Sequence, residues 1–590
     1  MRNNVGDSLA DPVESLMHDS DSSDSGRPIR VGYILDSRQL GSTDVVGLLL
    51  SEFADDQAIE WHILYAVGPG LTACMRTRGR KRKSGPFVPL RSWMCGLLLA
   101  CERSLLALFG RLILNGPDGE KPSSTIRLEV DRRASSCNQA EVIGLSAIEY
   151  RKVKQLNLDF LIVDIPLVRM RAISLSCLAT QGMFLTQYSN LLGADSRFQS
   201  FWDVLNREPT TPFAVEHIRA GGGDPVSRVT GTVSTQASWT ATIIQIRRES
   251  TVWVSQLLAQ YVRLGVVETF GKASITRSAH ITHAPGIIDL IRYLYRRIVS
   301  IFKSRLRTTR HYSTWSIAVA IGEPSIENLK NAVTVANRQD HFFADPFIYT
   351  WKDRTICFAE EFCLLDDRAH IAAIDIVSTR EVSEENWEPS IRYLGTVIDE
   401  PFNLGFPFVF EYENRIFLIP DSRQANSVRL YECVEFPLQW QYRHDLLSNV
   451  AAADTVVFHH DDYWWLLTTV APRGSTELCS TLYVYFADTP LTRSWRPHSL
   501  NPVIIDGRDG RNGGFVWKRS SSPDVSRVVQ RQGYLRYGAS IGEAKISRLN
   551  SSNYEETISD MVLPGQLNAE RCHHLSFDGR YSAYDYKLLL

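Results

Sequence analysis

No Cys-x-x-Cys pair occurs in the chain; its ten cysteines stand singly, from Cys74 to Cys572. That excludes the usual spacing of a structural zinc site or a thioredoxin-like motif. Neither a P-loop nor a GxGxxG turn is present, so no common nucleotide-binding fingerprint marks the chain and no cofactor is expected. Excess charge of one sign is also missing. A net charge of -2 argues against a nucleic-acid partner held by a global field. Met1–Gly26 lacks the apolar core of a secretory leader, and with solitary thiols this sets the expectation of a cytoplasmic protein. The most apolar stretch, Trp93–Leu114, is broken by Glu102, Arg103 and Arg111. Such charges are costly at a bilayer centre, so an amphipathic or core helix is expected there rather than a span.

What remains is a chain of 590 residues with 44% hydrophobic residues, too long for one core. Residues 1–26 are rich in Ser and Asp and are expected to form a disordered acidic tail. Ile29–Leu35, Trp61–Val67 and Leu158–Ile165 read as buried strands. They alternate with helical stretches at Val45–Phe53 and Ser146–Leu156, the pattern of an α/β domain with a parallel sheet. This domain covers 27–270, with a poorly patterned insert at about 70–140. Pro285 then opens a helix in which Ile287, Ile288, Ile291, Leu294, Tyr295 and Ile298 recur at helical spacing among arginines. Residues 271–312 therefore read as a basic amphipathic linker helix.

From 313 to 590 the pattern becomes alternating and aromatic. Five segments share one design, two β-rich runs around a tight polar turn: Phe342–Glu361, Phe406–Asp421, Asp454–Thr469, Phe515–Gln532 and His573–Tyr586. Their starts lie roughly 50–60 residues apart, the length of a four-stranded blade. The expected fold is an all-β five-bladed β-propeller.

The first run of each segment is the candidate for the innermost strand, which lines the channel. It supplies Asp345, Asp454 and His573–His574; second runs add Glu360–Glu361 and Asp421; Arg511 and Asn512 precede a Gly-Gly pair. Carboxylates around one pocket accept hydrogen bonds from sugar hydroxyls, and two of them could act as acid and base on a glycosidic bond. Asp345, Glu361 and Asp454 are the catalytic candidates; Asp421, Arg511, Asn512 and His574 are the substrate-binding candidates. His459-His460-Asp461-Asp462 and Asp366–Asp367 read as solvated hairpin tips, and no metal site is expected. The run Arg76–Lys83 is dense in basic residues; with the helix near 287–310 it could hold the protein against the inner leaflet of a membrane.

The segments His341–Phe347, Phe358–Glu361, Phe406–Phe410, Ile419–Asp421 and Arg511–Gly514 resemble the propeller found N-terminal to the transferase part of plant glucosamine inositolphosphorylceramide transferases. That propeller is similar in turn to the five-bladed arabinanase and levansucrase class. The sequence departs from the pattern at Asp421, where Glu is usual, and lacks a clear counterpart of the glycosidases' general acid. Residues 29–265 resemble the formyltransferase fold, through Leu158–Ile165, Gly182–Leu185, Phe201–Asp203 and Gly221–Asp224. The resemblance implies an Asn–His–Asp trio for formyl transfer. Phe184–Asn190 offers no His, and Asp224 is the surviving position, a candidate for substrate binding.

The leading expectation is a transferase-like cytoplasmic protein of surface-glycan biosynthesis, peripheral to a membrane, whose partner is a carbohydrate or lipid-linked glycan and not a nucleic acid. The alternatives are a non-catalytic glycan-binding scaffold built on inactive enzyme folds, and an arabinanase-type glycoside hydrolase.

Overall fold

The computed structural model describes residues 28–36, 59–66, 97–98, 101–102, 141–143, 150–164, 175–187, 198–265 apart from 224, 267, 285–307, 314–377, 389–518 apart from 473, 476, 478 and 479, and 524–588. The acidic tail, the basic run at 76–83, the helix expected at Val45–Phe53, most of the insert and Asp224 lie outside these residues.

The N-terminal sheet has seven strands: β1 (Ile29–Asp36), β2 (Ile59–Ala66), β3 (Glu141–Ile143), β4 (Phe160–Asp164), β5 (Met183–Gln187), β6 (Thr210–Ile218) and β7 (Ser227–Ser234). Their order is β3-β2-β1-β4-β5-β6-β7. The first five run parallel, whereas β6 and β7 are antiparallel. The sheet is thus mixed rather than all-parallel. Thr210–Ile218 and Ser227–Ser234 form a hairpin pair at one edge, and a hairpin needs no crossover. Alternate residues serve two cores, because successive side chains leave opposite faces of a strand. Tyr33, Phe160, Ile162 and Phe184 meet Ile246, Trp253 and Leu257 on one side. Leu161, Val163, Met183 and Leu185 meet Val153 on the other.

Among the described residues, the helices beside the sheet include α1 (Tyr150–Gln155), α2 (Gln199–Asn206), α3 (Trp239–Leu264) and α4 (Ile287–Arg307). The Ser238 side chain accepts the Ala241 N–H at the start of α3, and Gly265 ends the helix in the left-handed conformation, a common pairing of caps. Within the expected helix Trp93–Leu114, Leu97–Leu98 and Cys101–Glu102 are described and helical. Glu102 is buried and accepts the Thr240 N–H and the Tyr293 hydroxyl.

The C-terminal part is a ring of five blades. The first pairs β10 (His341–Trp351), β11 (Arg354–Cys363), β12 (Arg368–Val377) and β13 (Ser390–Ile398) in order. The second holds β14 (Gly405–Tyr412), β15 (Arg415–Asp421), β16 (Ser427–Glu435) and β17 (Gln439–Ser448). The third holds β18 (Ala452–His460), β19 (Tyr463–Val470) and β20 (Thr481–Ala487), with β21 (Arg496–Pro497) and β22 (Ile504–Ile505) both on β20. The fourth holds β23 (Arg511–Lys518), β24 (Val525–Gly533), β25 (Arg536–Asn550) and β26 (Asn553–Val562).

The fifth blade joins the two ends of the propeller sequence. β28 (Leu575–Phe577) and β29 (Tyr581–Leu588) come from the end, and β8 (Trp315–Ile321) and β9 (Val333–Val335) from the beginning; the short β27 (Ala569–Arg571) adds to β29. β29 pairs with β8 in antiparallel register from Tyr581 opposite Ile321 to Lys587 opposite Trp315. The innermost strands neighbour one another in the cyclic order β10, β14, β18, β23, β28 and back to β10, so no inner edge is left open.

Four inner strands carry a β-bulge at the same depth, between Ala344 and Phe347, Gly405 and Phe408, Ala453 and Val456, and Asn512 and Val516. Inside these bulges Asp345, Phe406, Asp454 and Gly514 have φ of 48°, 43°, 52° and 146°. Non-glycine residues rarely hold positive φ, at a cost on the order of 1–3 kcal/mol each. A bulge re-aims a side chain, and here it turns Asp345 and Asp454 inward.

The two parts meet along α3, β7 and the third blade. Ser234 donates its N–H and hydroxyl to Glu477, at 3.0 and 2.9 Å, and Gln245 donates to the same carboxylate at 2.9 Å. Thr232 donates to Asp506 at 2.6 Å. Ile505 of the blade enters the apolar core built by Phe213 and Val233.

Candidate functional site

Charged groups from all five blades reach the axis, Asp345 and Asp454 being turned inward by their bulges. Asp345 lies between two of the blades. Its Oδ1 is 3.1 Å from His573 Nε2, in an ion pair, and its Oδ2 accepts the Phe406 N–H at 3.3 Å. On the far side of the ring, His573 Nδ1 is 2.8 Å from Asp585 Oδ2. Asp585 Oδ1 accepts the backbone N–H of both His573 and His574, each at 3.0 Å. The result is a buried carboxylate–imidazole–carboxylate row.

Burial alone would discharge His573. The two carboxylates outweigh it and push the imidazole up to about 10. Burial would likewise raise Asp345, yet the His573 cation holds it well below the usual carboxylate range. Among the described residues Asp345, His573 and Asp585 bring metal-ligand atoms within 4.8 Å of one another. With His573 protonated, the imidazole is a cation rather than a lone-pair donor, and the trio is an ion-paired row.

Glu360 completes the second side of Asp345. A Cβ on Gly405 would stand 2.4 Å from Glu360 Oε2 and 3.5 Å from Asp345 Oδ2, so the bare glycine leaves the room in which the two carboxyls meet. Burial, then the Asp345 charge, push Glu360 well above its ordinary value, and it shares a hydrogen bond with Asp345. Two carboxyls in contact share one proton, and burial favours its place on Glu360.

Asp454 is paired with Arg511: Nη2 donates at 3.1 Å, and Nε donates to the other oxygen. Burial pushes Asp454 up to about 6 against the pull of Arg511, with Asp421 and Asp345 adding to the rise. Asp421, at the end of β15, accepts the Arg423 N–H at 2.9 Å and is half-buried. The Arg511 guanidinium lies 5.4 Å from the centre of the Tyr537 ring. Trp315 and Tyr537 both flank the His573 ring, at 4.2 and 5.4 Å. Asp345, Glu360, Asp421, Asp454, Arg511 and His573 thus converge at one end of the channel, with half-buried Glu360, Asp421 and Tyr537 facing solvent.

Three candidates from the sequence stand elsewhere. Glu361 points away from Glu360, as neighbours on a strand must. It is buried among Arg338 Nη1 at 2.6 Å, Tyr393 Oη at 2.8 Å and His370 Nε2 at 3.0 Å. It ties the first blade together, and Glu360 is the acid at the channel. Asn512 is a staple between blades, donating to the carbonyls of Asp454 and Leu467 and accepting from Arg527. His574 is fully buried between the rings of Phe347 and Phe406, at 4.6 and 5.2 Å. Neither ring nitrogen has a hydrogen-bond partner, and burial lowers the imidazole to about 4, so it is a neutral plug in the channel floor. Asp224 lies outside the described residues. Two residues that matter to the geometry, Asp585 and Tyr537, carry no sequence signal beyond their place in the blades.

In the N-terminal sheet a buried ion pair ties the end of β4 to α3. Asp164 Oδ2 accepts from Arg247 of α3, at 3.0 Å to Nε and 2.5 Å to Nη2, and from Tyr33 Oη at 3.0 Å; Oδ1 accepts from Thr186 at 3.2 Å. Gln187 donates to Glu216 at 2.9 Å.

Residues 305–582 match the family described as Glucosamine inositolphosphorylceramide transferase 1, N-terminal. Glucosamine inositolphosphorylceramide transferase 1 of Arabidopsis thaliana is 31% identical over 252 residues, 42% of this chain and 31% of that protein. The protein of the same name from Oryza sativa subsp. japonica is 28% identical over 249 residues, 40% of this chain and 31% of its own length. The chain therefore spans about a third of the curated relatives it matches. Among solved structures, the catalytic domain of Coprinopsis cinerea GH62 alpha-L-arabinofuranosidase overlaps 46% of this chain and 97% of its own, at 11% identity and a TM-score of 0.31. An exo-1,5-alpha-L-arabinanase from a bovine ruminal metagenomic library overlaps 38% and 79%, at 10% identity and a TM-score of 0.27. Overlap that low carries no argument about chemistry. The propeller of this chain is similar to the N-terminal domain of the glucosamine inositolphosphorylceramide transferases.

Proposed function

We propose that the protein is a cytosolic, transferase-like component of surface-glycan biosynthesis whose propeller binds a sugar or lipid-linked glycan at Asp345, Glu360, Asp421, Asp454 and Arg511. The observation that carries this reading is the convergence of these groups at one end of the channel, where Asp454 pairs with Arg511 and the bare Gly405 leaves the room in which the Asp345 and Glu360 carboxyls meet. Such a pair offers a sugar hydroxyl both a donor and an acceptor, and the Tyr537 ring beside Arg511 gives an apolar sugar face something to stack on. Support from the relatives is the inositolphosphorylceramide in their names. Isothermal titration of the full chain with nucleotide sugars and lipid-linked glycans tests it. Binding that Asp345→Asn weakens at least tenfold supports the reading; no binding by the wild type, or equal binding by the variant, removes it.

A second reading, a non-catalytic glycan-binding scaffold, is favoured by the Asp164–Arg247 ion pair. That pair occupies the carboxyl end of β4, on the edge where open α/β sheets bind ligands. The formyltransferase-like domain would then serve folding or partner binding. Turnover of any acyl or glycosyl donor excludes this reading. An arabinanase-type hydrolase has less support, since Asp345 and Glu360 touch, whereas bracketing a glycosidic bond needs carboxyls about 5–10 Å apart.

A further inference from the structure

Helix α4 leaves its apolar face on the outside. Leu290 and Tyr293 are buried against Phe201, Trp202 and Trp239, and Arg297 donates to the Ala237 carbonyl at 2.6 Å. Arg296 donates to the Leu205 carbonyl. The packed face is therefore already committed. With 100° between successive residues, Ile288, Ile291, Leu294, Tyr295 and Ile298 share a sector about 120° wide, roughly opposite Leu290 and Tyr293. These five side chains are between 45% and 80% exposed. A surface helix of a globular protein normally shows the reverse, with apolar residues inward and polar ones outward.

Along Ile287–Arg307 the basic residues are Arg292, Arg296, Arg297, Lys303, Arg305 and Arg307, against one acid, Asp289. Arg292 is exposed at the rim of the stripe. Among the described residues no helix is long and apolar enough to cross a membrane, and these charges would forbid α4 from doing so. An apolar stripe with the exposed Arg292 at its rim, on a helix with six cations and one acid, instead suits the plane between headgroups and acyl chains. A second copy of the helix would bring like charges together, whereas anionic headgroups neutralise them.

We infer that α4 is a membrane-docking helix that seats the protein on a bilayer surface bearing anionic lipids, with Ile288, Ile291, Tyr295 and Ile298 in the acyl boundary and Arg292 at the phosphates. The inference is independent of the sugar site, because among the described residues no side chain of α4 stands among the channel groups.

Flotation of the full chain with vesicles tests it, using phosphatidylcholine alone and phosphatidylcholine with about a third phosphatidylserine. The expected result is flotation with the anionic vesicles, weakened by salt and by Arg292→Gln, the latter about five-fold. The double variant Ile291→Asp/Ile298→Asp, at exposed positions and with an unchanged melting temperature, should lose at least tenfold in partitioning. Failure of the wild type to float with anionic vesicles overturns the inference, as does undiminished flotation of the double variant. Concentration-dependent self-association that the double variant abolishes, without lipid binding, also overturns it and assigns the stripe to a second copy.

Discussion

His573 Nε2 stands 3.1 Å from Asp345 Oδ1, and this ion pair crosses from the last blade to the first. It therefore closes the ring electrostatically where β29 and β8 close it by hydrogen bonds. With Asp585 on its other nitrogen, His573 is held as a cation inside the fold.

A group whose folded pKa lies above its unfolded value stabilises the fold below the unfolded value and loses that contribution as pH rises. For His573 the window runs from about 6.5 to about 10. Thermal melts of the wild type should fall across that window. His573→Asn should melt lower at pH 7 but change less between pH 7 and 10, as followed by circular dichroism. A wild type as stable at pH 10 as at pH 7 would show the pair to be inert.

Glu360 and Glu361 should behave as opposites. Glu360→Gln keeps a donor beside Asp345 but cannot ionise. Wild-type glycan binding should weaken as pH rises through the raised Glu360 pKa, while binding by Glu360→Gln stays level, measured by titration calorimetry. Glu361→Gln should leave binding intact and cost about 2–3 kcal/mol in urea unfolding, because its buried charge-assisted hydrogen bonds are weakened. Burial opposes ionisation of Glu361, but bonds from His370, Tyr393 and Arg338 prevail and lower its pKa. Its stabilising contribution is therefore present at neutral pH and fades as pH falls into the carboxylate range.

Gly231 lets the third blade seat on the N-terminal sheet. A Cβ there would stand 2.4 Å from Ile505 and 2.8 Å from Phe213. Gly231→Val should pry the two parts apart and split one calorimetric unfolding transition into two. A single transition at the wild-type temperature would mean the interface adapts without cost.

Glu477 makes the same interface depend on pH, in favour of acid. Burial, then the nearby Glu249 charge, push its carboxyl up to about 7 against the donors of Ser234 and Gln245. The folded form thus prefers the proton, and the interface gains stability as pH falls from about 7 toward 4.5, by roughly 2–3 kcal/mol at most. The melting temperature of Glu477→Gln should lack this component, so the difference between variant and wild type should shrink as pH drops. A constant difference across that range would count against it.

Much of the β architecture can be read along the chain because a two-residue period with polar turns is a local signal, strong in Phe406–Asp421 and in His341–Trp351. The resemblance of about 313–590 to the plant transferase domain is legible for the same reason, since its motifs are short and sit on single hairpins. Which acid faces the channel is not legible. The bulge between Ala344 and Phe347 shifts the count by a residue, so alternation measured from Phe347 does not tell whether Glu360 or Glu361 turns inward. Nothing near Asp585 distinguishes it from an ordinary strand carboxylate until the first blade arrives beside it.

The sequence by itself determined the local grammar: buried strands such as Phe160–Asp164, hairpins with polar tips, a basic amphipathic helix after Pro285, and the residue types able to bind a sugar. Tertiary structure alone decided that Trp315–Ile321 pairs with Tyr581–Leu588, that β6 and β7 run against the rest of their sheet, and that the apolar stripe of α4 points outward. Hydrophobic periodicity specifies which residues share a face, but partners distant along the chain are chosen by ring closure and packing, and no local pattern encodes them.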